Sequence, residues 1–162
     1  SGTSTITSNG SAQTKSITIS GVGGTAQLAD ALSTTGNITV TNGALIDAGF
    51  SLTANTFAAS NSNVRTVTKT GNWTLTGSGT PWTTATTTNI TWSDTAGYVD
   101  FTYSGASARS ISMGGLTMNN VKVSAGSGTI TGFGTGTSIN DLTFAGYTGS
   151  FTHNEILHSE PE

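Results

Sequence analysis

The two histidines are the first residues to test for chemistry, because a Ser or Thr nucleophile ordinarily needs a neighbouring base, most often His. His153 and His158 both lie in the last ten residues of the chain. All three glutamates lie in the same stretch, so the composition changes abruptly after residue 152. This position predicts solvated tail histidines, and no catalytic triad with a serine of the body is expected.

A glycan-cleaving enzyme would instead need a pair of carboxylates across the scissile bond. Asp94 and Asp100, in the segment WSDTAGYVDF, are the only aspartates close in sequence, while Asp30, Asp47 and Asp141 stand alone. We interpret all five as residues that cap turns through their side-chain oxygens. The chain is therefore predicted to have no catalytic residue and not to be an enzyme. Polysaccharide cleavage that uses Asp94 or Asp100 is the catalytic alternative.

Metal sites and cofactors are not predicted either. The chain has no cysteine, no histidine pair within its body and no repeated Asp-rich calcium loop. Its net charge is −3 and its five cations are scattered, so nucleic acid is not an expected partner. No window approaches the roughly 20 apolar residues of a membrane-spanning helix, so membrane insertion is not expected.

Aromatic residues in loops offer a binding chemistry, since exposed rings there are frequent contact points. Trp73 and Trp92 alternate with Thr, which indicates inward-facing strand positions. Trp82 follows Pro81 in the loop-like segment GSGTPWTTATTT. Trp82 and Tyr103 are therefore the predicted glycan contacts.

Thr-x-Thr runs suggest a second surface chemistry, the ordering of water by flat ranks of outward hydroxyl groups. Ice binding of this kind needs both Thr residues on the same strand of successive repeats. When the repeats are aligned on their strand starts, Thr39/Thr41 and Thr66/Thr68 keep the pair, but later repeats lose the second Thr. We therefore interpret these residues as generic solvent-facing strand positions.

The elements that position these residues are predicted to be strands. Only 8% of the chain is charged, against about 25% in ordinary soluble proteins, and Gly, Ser, Thr and Asn are abundant. Apolar and polar residues alternate in short segments that recur at an interval in the twenties, which suits one coil of a solenoid. These segments begin at Asn37, Val64, Asn89, Leu116 and Ile139. The prediction is an all-β parallel β-helix of about five coils, with an antiparallel β-sandwich as the alternative.

The apolar positions of these strands form the predicted core. Its members are Ile38, Val40, Leu45, Leu52, Phe57, Leu75, Ile90, Trp92, Val99, Phe101, Ile111, Met113, Leu116, Met118, Ile130, Leu142 and Phe144.

The chain is expected to divide into three regions. Residues 1–36 are a strand or cap region, in which 25–36 (TAQLADALSTTG) is either a short helix or another irregular strand. Residues 37–152 are the solenoid body. Residues 153–162 are an acidic tail or linker, and Glu155, Ile156 and Leu157 are candidate assembly contacts.

A resemblance to a known class of proteins covers about residues 45–146. The segment SLTANTFAASNSNVRTVTKTGNWTLTGSGTPW and the later GGLTMNNV resemble coils of β-helical structural proteins of tailed bacteriophages. Lys69 departs from that texture, which commonly has an apolar residue there. The resemblance implies a virion appendage, such as a tail fibre, spike or head decoration, that is oligomeric and contacts a host glycan. A secreted bacterial or archaeal adhesin, or a self-assembling extracellular filament subunit, is the alternative.

Overall fold

The fold is a parallel β-solenoid, as a computed structural model of the chain shows for residues 2–153. Every strand ladder among these residues is parallel, so the antiparallel sandwich is wrong and the predicted β-helix is confirmed. The solenoid has about seven coils, not five. At about 4.8 Å per coil, the stack is about 30 Å long.

Three sheets form the sides of the solenoid. The first sheet consists of β1 (Thr3–Ile6), β3 (Thr25–Leu28), β6 (Gly43–Ile46), β9 (Arg65–Lys69) and β12 (Ile90–Asp94). The second sheet consists of β4 (Leu32–Ser33), β7 (Leu52–Ala54), β10 (Trp73–Leu75), β13 (Val99–Phe101), β15 (Thr117–Val123) and β17 (Ser138–Phe144). The third sheet consists of β2 (Ile17–Ile19), β5 (Ile38–Val40), β8 (Phe57–Ala58), β11 (Gly79–Thr83), β14 (Arg109–Ser112), β16 (Ile130–Phe133) and β18 (Phe151–His153).

Each full coil visits the first, second and third sheets in that order. The register stacks like positions, so that Leu52 lies beside Trp73, and Trp73 beside Val99. The fifth coil is the last with separate strands in the first and second sheets. After it, β15 and β17 are continuous seven-residue strands of the second sheet. Trp92 Nε1 donates to Thr117 O and Asn119 N donates to Asp94 Oδ2, so β15 begins beside the end of the first sheet.

The alternation of side chains explains the inside and outside of each strand. In β10, Trp73 and Leu75 are buried and Thr74 faces outward. Thr suits the outer position because its branched Cβ favours the extended backbone and its hydroxyl group stays hydrated. Corners need small residues where coils approach closely. A Cβ on Gly71 would lie 2.0 Å from Phe50 O, which only glycine avoids.

The predicted coil starts do not lie on one side of the solenoid, and this alignment is wrong. Asn37 precedes a strand of the third sheet, Val64 and Asn89 precede strands of the first, and Leu116 and Ile139 belong with strands of the second. All three sheets use the same alternating Thr pattern, and the corners differ in length. Periodicity alone therefore could not tell one side from another.

The described residues before 37 form β1 to β4, which belong to the first coil and to the first two sides of the second, and they form no separate cap. Residues 25–28 and 32–33 are strands, so the helical alternative for 25–36 is wrong. Leu28 and Leu32 are four residues apart, as on a helix, but they face the core from two different sheets.

The interior is filled mostly by the predicted core residues, with a cluster of aromatic rings in the middle coils. Phe57 lies 4.6 Å from Trp82 and 5.0 Å from Trp73, measured between ring centroids. Four members of the predicted core differ: Ile90 and Trp92 are half-buried, and Leu142 and Phe144 are 37% and 40% exposed. Leu142 and Phe144 are exposed because β17 belongs to the last coil of the described residues.

Candidate functional site

Trp82 is not a surface residue, and its prediction as a glycan contact is wrong. Its side chain is fully buried in the aromatic cluster, and Nε1 donates a hydrogen bond to Thr84 Oγ1 at 2.9 Å. The physical reason is a register shift in β11 between Gly79 and Trp82, which places the ring above Phe57. Within the segment that looked like a loop, Gly79–Thr83 form a strand of the third sheet.

Tyr103 lies half-buried at the corner between the second and third sheets, directly after β13. Its hydroxyl group donates to Ser107 Oγ at 3.1 Å, and its ring centroid lies 5.9 Å from Arg109 Cζ. A glycan contact at Tyr103 stays a prediction.

The two neighbouring aspartates lie on different sheets and do not form a carboxylate pair. Asp94 ends β12 in the first sheet and its side chain is fully buried, so it is not a turn cap. Asp100 lies in the second sheet between the buried residues Val99 and Phe101 and therefore faces outward. Its Oδ1 is shielded from solvent and has no hydrogen-bond partner.

Asp94 forms a buried ion pair with Lys69 on the strand beside it. Lys69 Nζ lies 3.0 Å from Asp94 Oδ1 and donates a second hydrogen bond to Ala96 O at 2.8 Å. The other carboxylate oxygen, Asp94 Oδ2, accepts from Asn119 N at 2.9 Å. Since Lys69, Asp94 and Asn119 belong to three successive coils, the ion pair connects the coils through the interior.

Asp47 is a second buried carboxylate at the same corner, one coil before Lys69. It caps its own turn by accepting from Gly49 N, as predicted for these aspartates. It also accepts from the next coil: from Thr70 N, Thr70 Oγ1, Gly71 N and Trp73 Nε1, all between 2.7 and 2.9 Å. Hydrogen bonds to the ionised form compensate a buried carboxylate for its lost hydration.

Arg65 lies fully buried at the corner between the third and first sheets, and no carboxylate of residues 2–153 forms an ion pair with it. Its Nη2 donates to Thr86 O at 2.9 Å, and its Nη1 donates to Asn61 Oδ1, Asn63 O and Thr88 O. Burial lowers the pKa of Arg65 below its ordinary value. An arginine stays protonated after such a change, so this corner holds a permanent charge among amide and carbonyl oxygens.

Arg109 lies at the remaining corner, between the second and third sheets, and is 2% exposed. Nη2 donates to Ala125 O at 2.9 Å, while Nε and Nη1 have no hydrogen-bond partner. The ring centroids of Tyr103 and Tyr147 lie 5.9 Å and 5.6 Å from Cζ. Burial lowers the pKa of Arg109, and the two tyrosines act in the opposite direction.

Each corner of the solenoid therefore holds one buried cation, an arrangement that the sequence analysis missed. A signal was present: Arg65 and Lys69 are two residues from Val67 on either side, so all three share one face of β9. Reading Val67 as inward would have placed both cations in the core.

The outward Thr residues of the Thr-x-Thr runs do not form continuous columns along the solenoid. Thr39 lies in the third sheet and Thr66 in the first, so the pairs compared in the sequence are not neighbours. The true outward columns of the first sheet are interrupted at Ala44 and Ile46. Ice binding therefore gains no support from the fold.

Residues 2–153 contain neither a metal-binding cluster of side chains nor a membrane-spanning helix. No group of three or more His, Asp or Glu side chains there is placed to hold a metal ion. No helix in the described part of the chain is long and apolar enough to cross a membrane. Glu155, Ile156 and Leu157, the candidate assembly contacts, lie outside the described residues, as does most of the predicted tail. Comparison of the chain with protein-family models, curated proteins and solved structures finds no match.

Proposed function

We propose that this chain is a non-enzymatic structural protein of a virion appendage, a tail fibre, spike or head decoration, and that it acts as a rigid rod. The observation that carries the proposal is the continuous parallel ladder, in which each coil is hydrogen-bonded to its neighbours through the sheets. Bending such a rod in any direction would stretch the backbone hydrogen bonds of at least one of the three sides.

The buried polar groups at the corners support the same function. Asp47 binds donors of the next coil, and Lys69 pairs with Asp94 one coil further on. These partners fix each coil against the next, since a slip of the register would leave buried charges without partners. Stiffness and resistance to proteases follow, because local opening of one coil costs these contacts.

The placement of the aspartates argues for a structural protein over a polysaccharide-cleaving enzyme. Asp94 cannot contact a substrate while it is buried against Lys69, and Asp100 lies on the outside of another sheet. On this proposal the protein works through its sides and ends, in a virion or another extracellular setting. We further propose that it forms a homo-oligomer or filament and that Tyr103 contributes to contact with a cell-surface glycan.

The second candidate is a secreted bacterial or archaeal adhesin or a self-assembling filament subunit. The exposure of apolar side chains in the last described coil, Leu142 and Phe144 among them, favours assembly in either setting. The two candidates differ in where the protein is found, not in the rod itself.

The test is to locate the protein with an antiserum raised against the purified chain. Lysates of the source culture are separated on a density gradient into virions, cell envelopes and soluble material. We expect the protein in the virion fraction and immunogold label on an appendage. Label confined to cell envelopes or extracellular filaments would contradict the virion function and support the second candidate. Release of reducing ends from a capsule polysaccharide by the purified chain would contradict both.

A further inference from the structure

The buried pair of Lys69 and Asp94 holds an amine and a carboxyl group in contact away from solvent. The two residues are register partners on β9 and β12, and Lys69 Nζ lies 3.0 Å from Asp94 Oδ1. Cγ of Asp94, the carbon that an amine can attack, is bonded to that oxygen. Both side chains are 0% exposed. Reacting groups held together in this way have a high effective concentration.

The surroundings of the pair also suit an amide. Ala96 O accepts a hydrogen bond from Lys69 Nζ at 2.8 Å, and Asn119 N donates to Asp94 Oδ2 at 2.9 Å. In an amide between the two side chains, the nitrogen keeps one hydrogen and the carbon keeps one oxygen. The N–H would donate to Ala96 O and the C=O would accept from Asn119 N. Both polar groups of a buried amide would therefore have partners already in place.

Asp47, the other buried carboxylate at this corner, does not compete for the amine. Its oxygens accept hydrogen bonds from donors of residues 70–73. Among residues 2–153, the ion pair of Lys69 is with Asp94 alone. The amine therefore has a single carboxyl group within reach.

We propose that Lys69 and Asp94 condense to an isopeptide bond that joins two successive coils. One proton passes from the Nζ ammonium group to Oδ1, which gives an amine and a carboxylic acid. The Nζ lone pair then forms a bond to Cγ, and the N–H of Asn119 stabilises the charge that develops on Oδ2. A second proton passes from Nζ to the Oδ1 hydroxyl group, the Cγ–Oδ1 bond breaks, and Oδ1 leaves as water. One ammonium and one carboxylate thus yield one amide and one water, without an oxidant or a co-reactant.

Burial favours the amide over its hydrolysis. Condensation removes two charges from the interior, where each is costly, and exclusion of water opposes the reverse reaction. The bond closes the chain between residues 69 and 94, and so it restricts the unfolded chain as a disulfide does. The chain has no cysteine, so this cross-link would take the place of a disulfide. The inference goes beyond the proposed virion function and does not depend on it.

The first test is the intact mass of the denatured wild-type chain, measured after prolonged incubation of the folded protein at neutral pH. We expect a mass lower than that of the sequence by one water molecule. K69M lacks the amine and D94A lacks the carboxyl group, so both should have the full mass of their sequences. A wild-type chain with the full mass of its sequence would overturn the proposal, even where a variant fails to fold.

The second test locates the bond by digesting the denatured wild-type chain with trypsin, which does not cleave after a lysine whose amine is in an amide. We expect cleavage after Arg65 and Arg109 and none after Lys69, so that residues 66–109 stay together and carry the water deficit. Further cleavage with chymotrypsin after Trp73 and Trp92 should leave the peptides of Lys69 and Asp94 covalently joined. Release of peptide 66–69, or a deficit on another peptide, would contradict the proposed bond.

The outward pair of Lys122 and Asp100 is the matched control. These residues are also register partners in neighbouring strands, but both are only half-buried. Lys122 Nζ lies 3.7 Å from the centroid of the Tyr98 ring, and this lysine forms no ion pair with a carboxylate of residues 2–153. Trypsin should therefore cleave after Lys122, and K122M should keep the water deficit. A deficit that disappears in K122M would show that the cross-link does not involve Lys69.

Discussion

Two corners of the solenoid bury a cation at equal depth and compensate it differently. At the corner between the first and second sheets, Lys69 has a carboxylate at 3.0 Å and a carbonyl at 2.8 Å, and Asp94 has an amide of the next coil. At the corner between the second and third sheets, Arg109 has one hydrogen bond and two tyrosine rings, and two of its nitrogens have no partner.

The difference follows from the chemistry of the two cations. An ammonium group is a compact, strongly hydrated charge, so it enters a core only with oxygen partners that replace water. A guanidinium group is planar and more weakly hydrated, and it can lie against aromatic rings. The comparison predicts that the Lys69 corner depends on its charges, whereas the Arg109 corner depends mainly on packing.

The largest loss in the free energy of unfolding is expected from D94A. This variant leaves Lys69 Nζ buried without a carboxylate and removes the acceptor of Asn119 N. Removing one member of a buried ion pair costs about 3–5 kcal/mol, so we expect a loss of that size in the free energy of unfolding in urea. D100A is the matched control, because Asp100 faces outward and has an unpartnered Oδ1. An equal loss in both variants would show that the ion pair has no special weight.

A smaller loss is expected from the double variant K69M/D94L, which removes both charges and keeps apolar volume in the corner. Isolated charges are then no longer buried, and the main remaining cost is the unpaired amide of Asn119, about 1–3 kcal/mol. The measurement is the same urea titration, compared with D94A and K69M alone. A double variant no more stable than D94A would mean that lost packing, not an uncompensated charge, explains the effect.

Much of the fold was predictable from the sequence, and the buried charges were not. Thr alternating with Val, Ile or Trp indicated strands, and the interval in the twenties indicated coils, because both patterns express local rules of strand geometry. The count and alignment of coils were wrong, since nothing in a Thr-x-Thr run says which of three sheets it belongs to. The location of Trp82 depended on a register shift within β11, which is a property of stacking on Phe57 and leaves no local signal.

The interior position of Lys69 was partly visible. Lys69 lies two residues from Val67 on the same strand, which predicts an inward side chain. Charged side chains are usually exposed, which predicts the opposite. The deciding partner, Asp94, is 25 residues away in the sequence and becomes a neighbour only through the register of β9 and β12. A charge pair separated by one coil length can therefore be recognised only when the coil length is known.

R109M is expected to leave the free energy of unfolding almost unchanged, in contrast to D94A. The variant loses one hydrogen bond and two ring contacts, and it also relieves a buried charge with two unpartnered nitrogens, so the net change is about 1 kcal/mol or less. R65M is the matched comparison, because Arg65 donates to three carbonyls and an amide oxygen, and losing those donors should cost more. Thermal unfolding of both variants measures the order. R109M as damaging as R65M would contradict the view that the Arg109 corner depends mainly on packing.

The smallest effect concerns Asp30, which lies at the same corner as Lys69 but in the second coil, where it is half-buried. Hydrogen bonds from the backbone N–H groups of Ser8 and Asn9, at 2.8 and 2.7 Å, lower the pKa of Asp30 below its ordinary value of 3.8. A carboxyl group whose pKa is lowered by folding contributes stability that is fully present above pH 3.8 and is lost as the pH falls through the folded-state value. We therefore expect the melting temperature of the wild type to fall slightly more than that of D30N as the pH is lowered below 3.8. The same acid dependence in D30N would show that these hydrogen bonds do not favour the ionised form. A clear difference would extend the comparison from buried charges to a half-buried one, because the carboxylate of Asp30 also connects two coils but keeps part of its hydration.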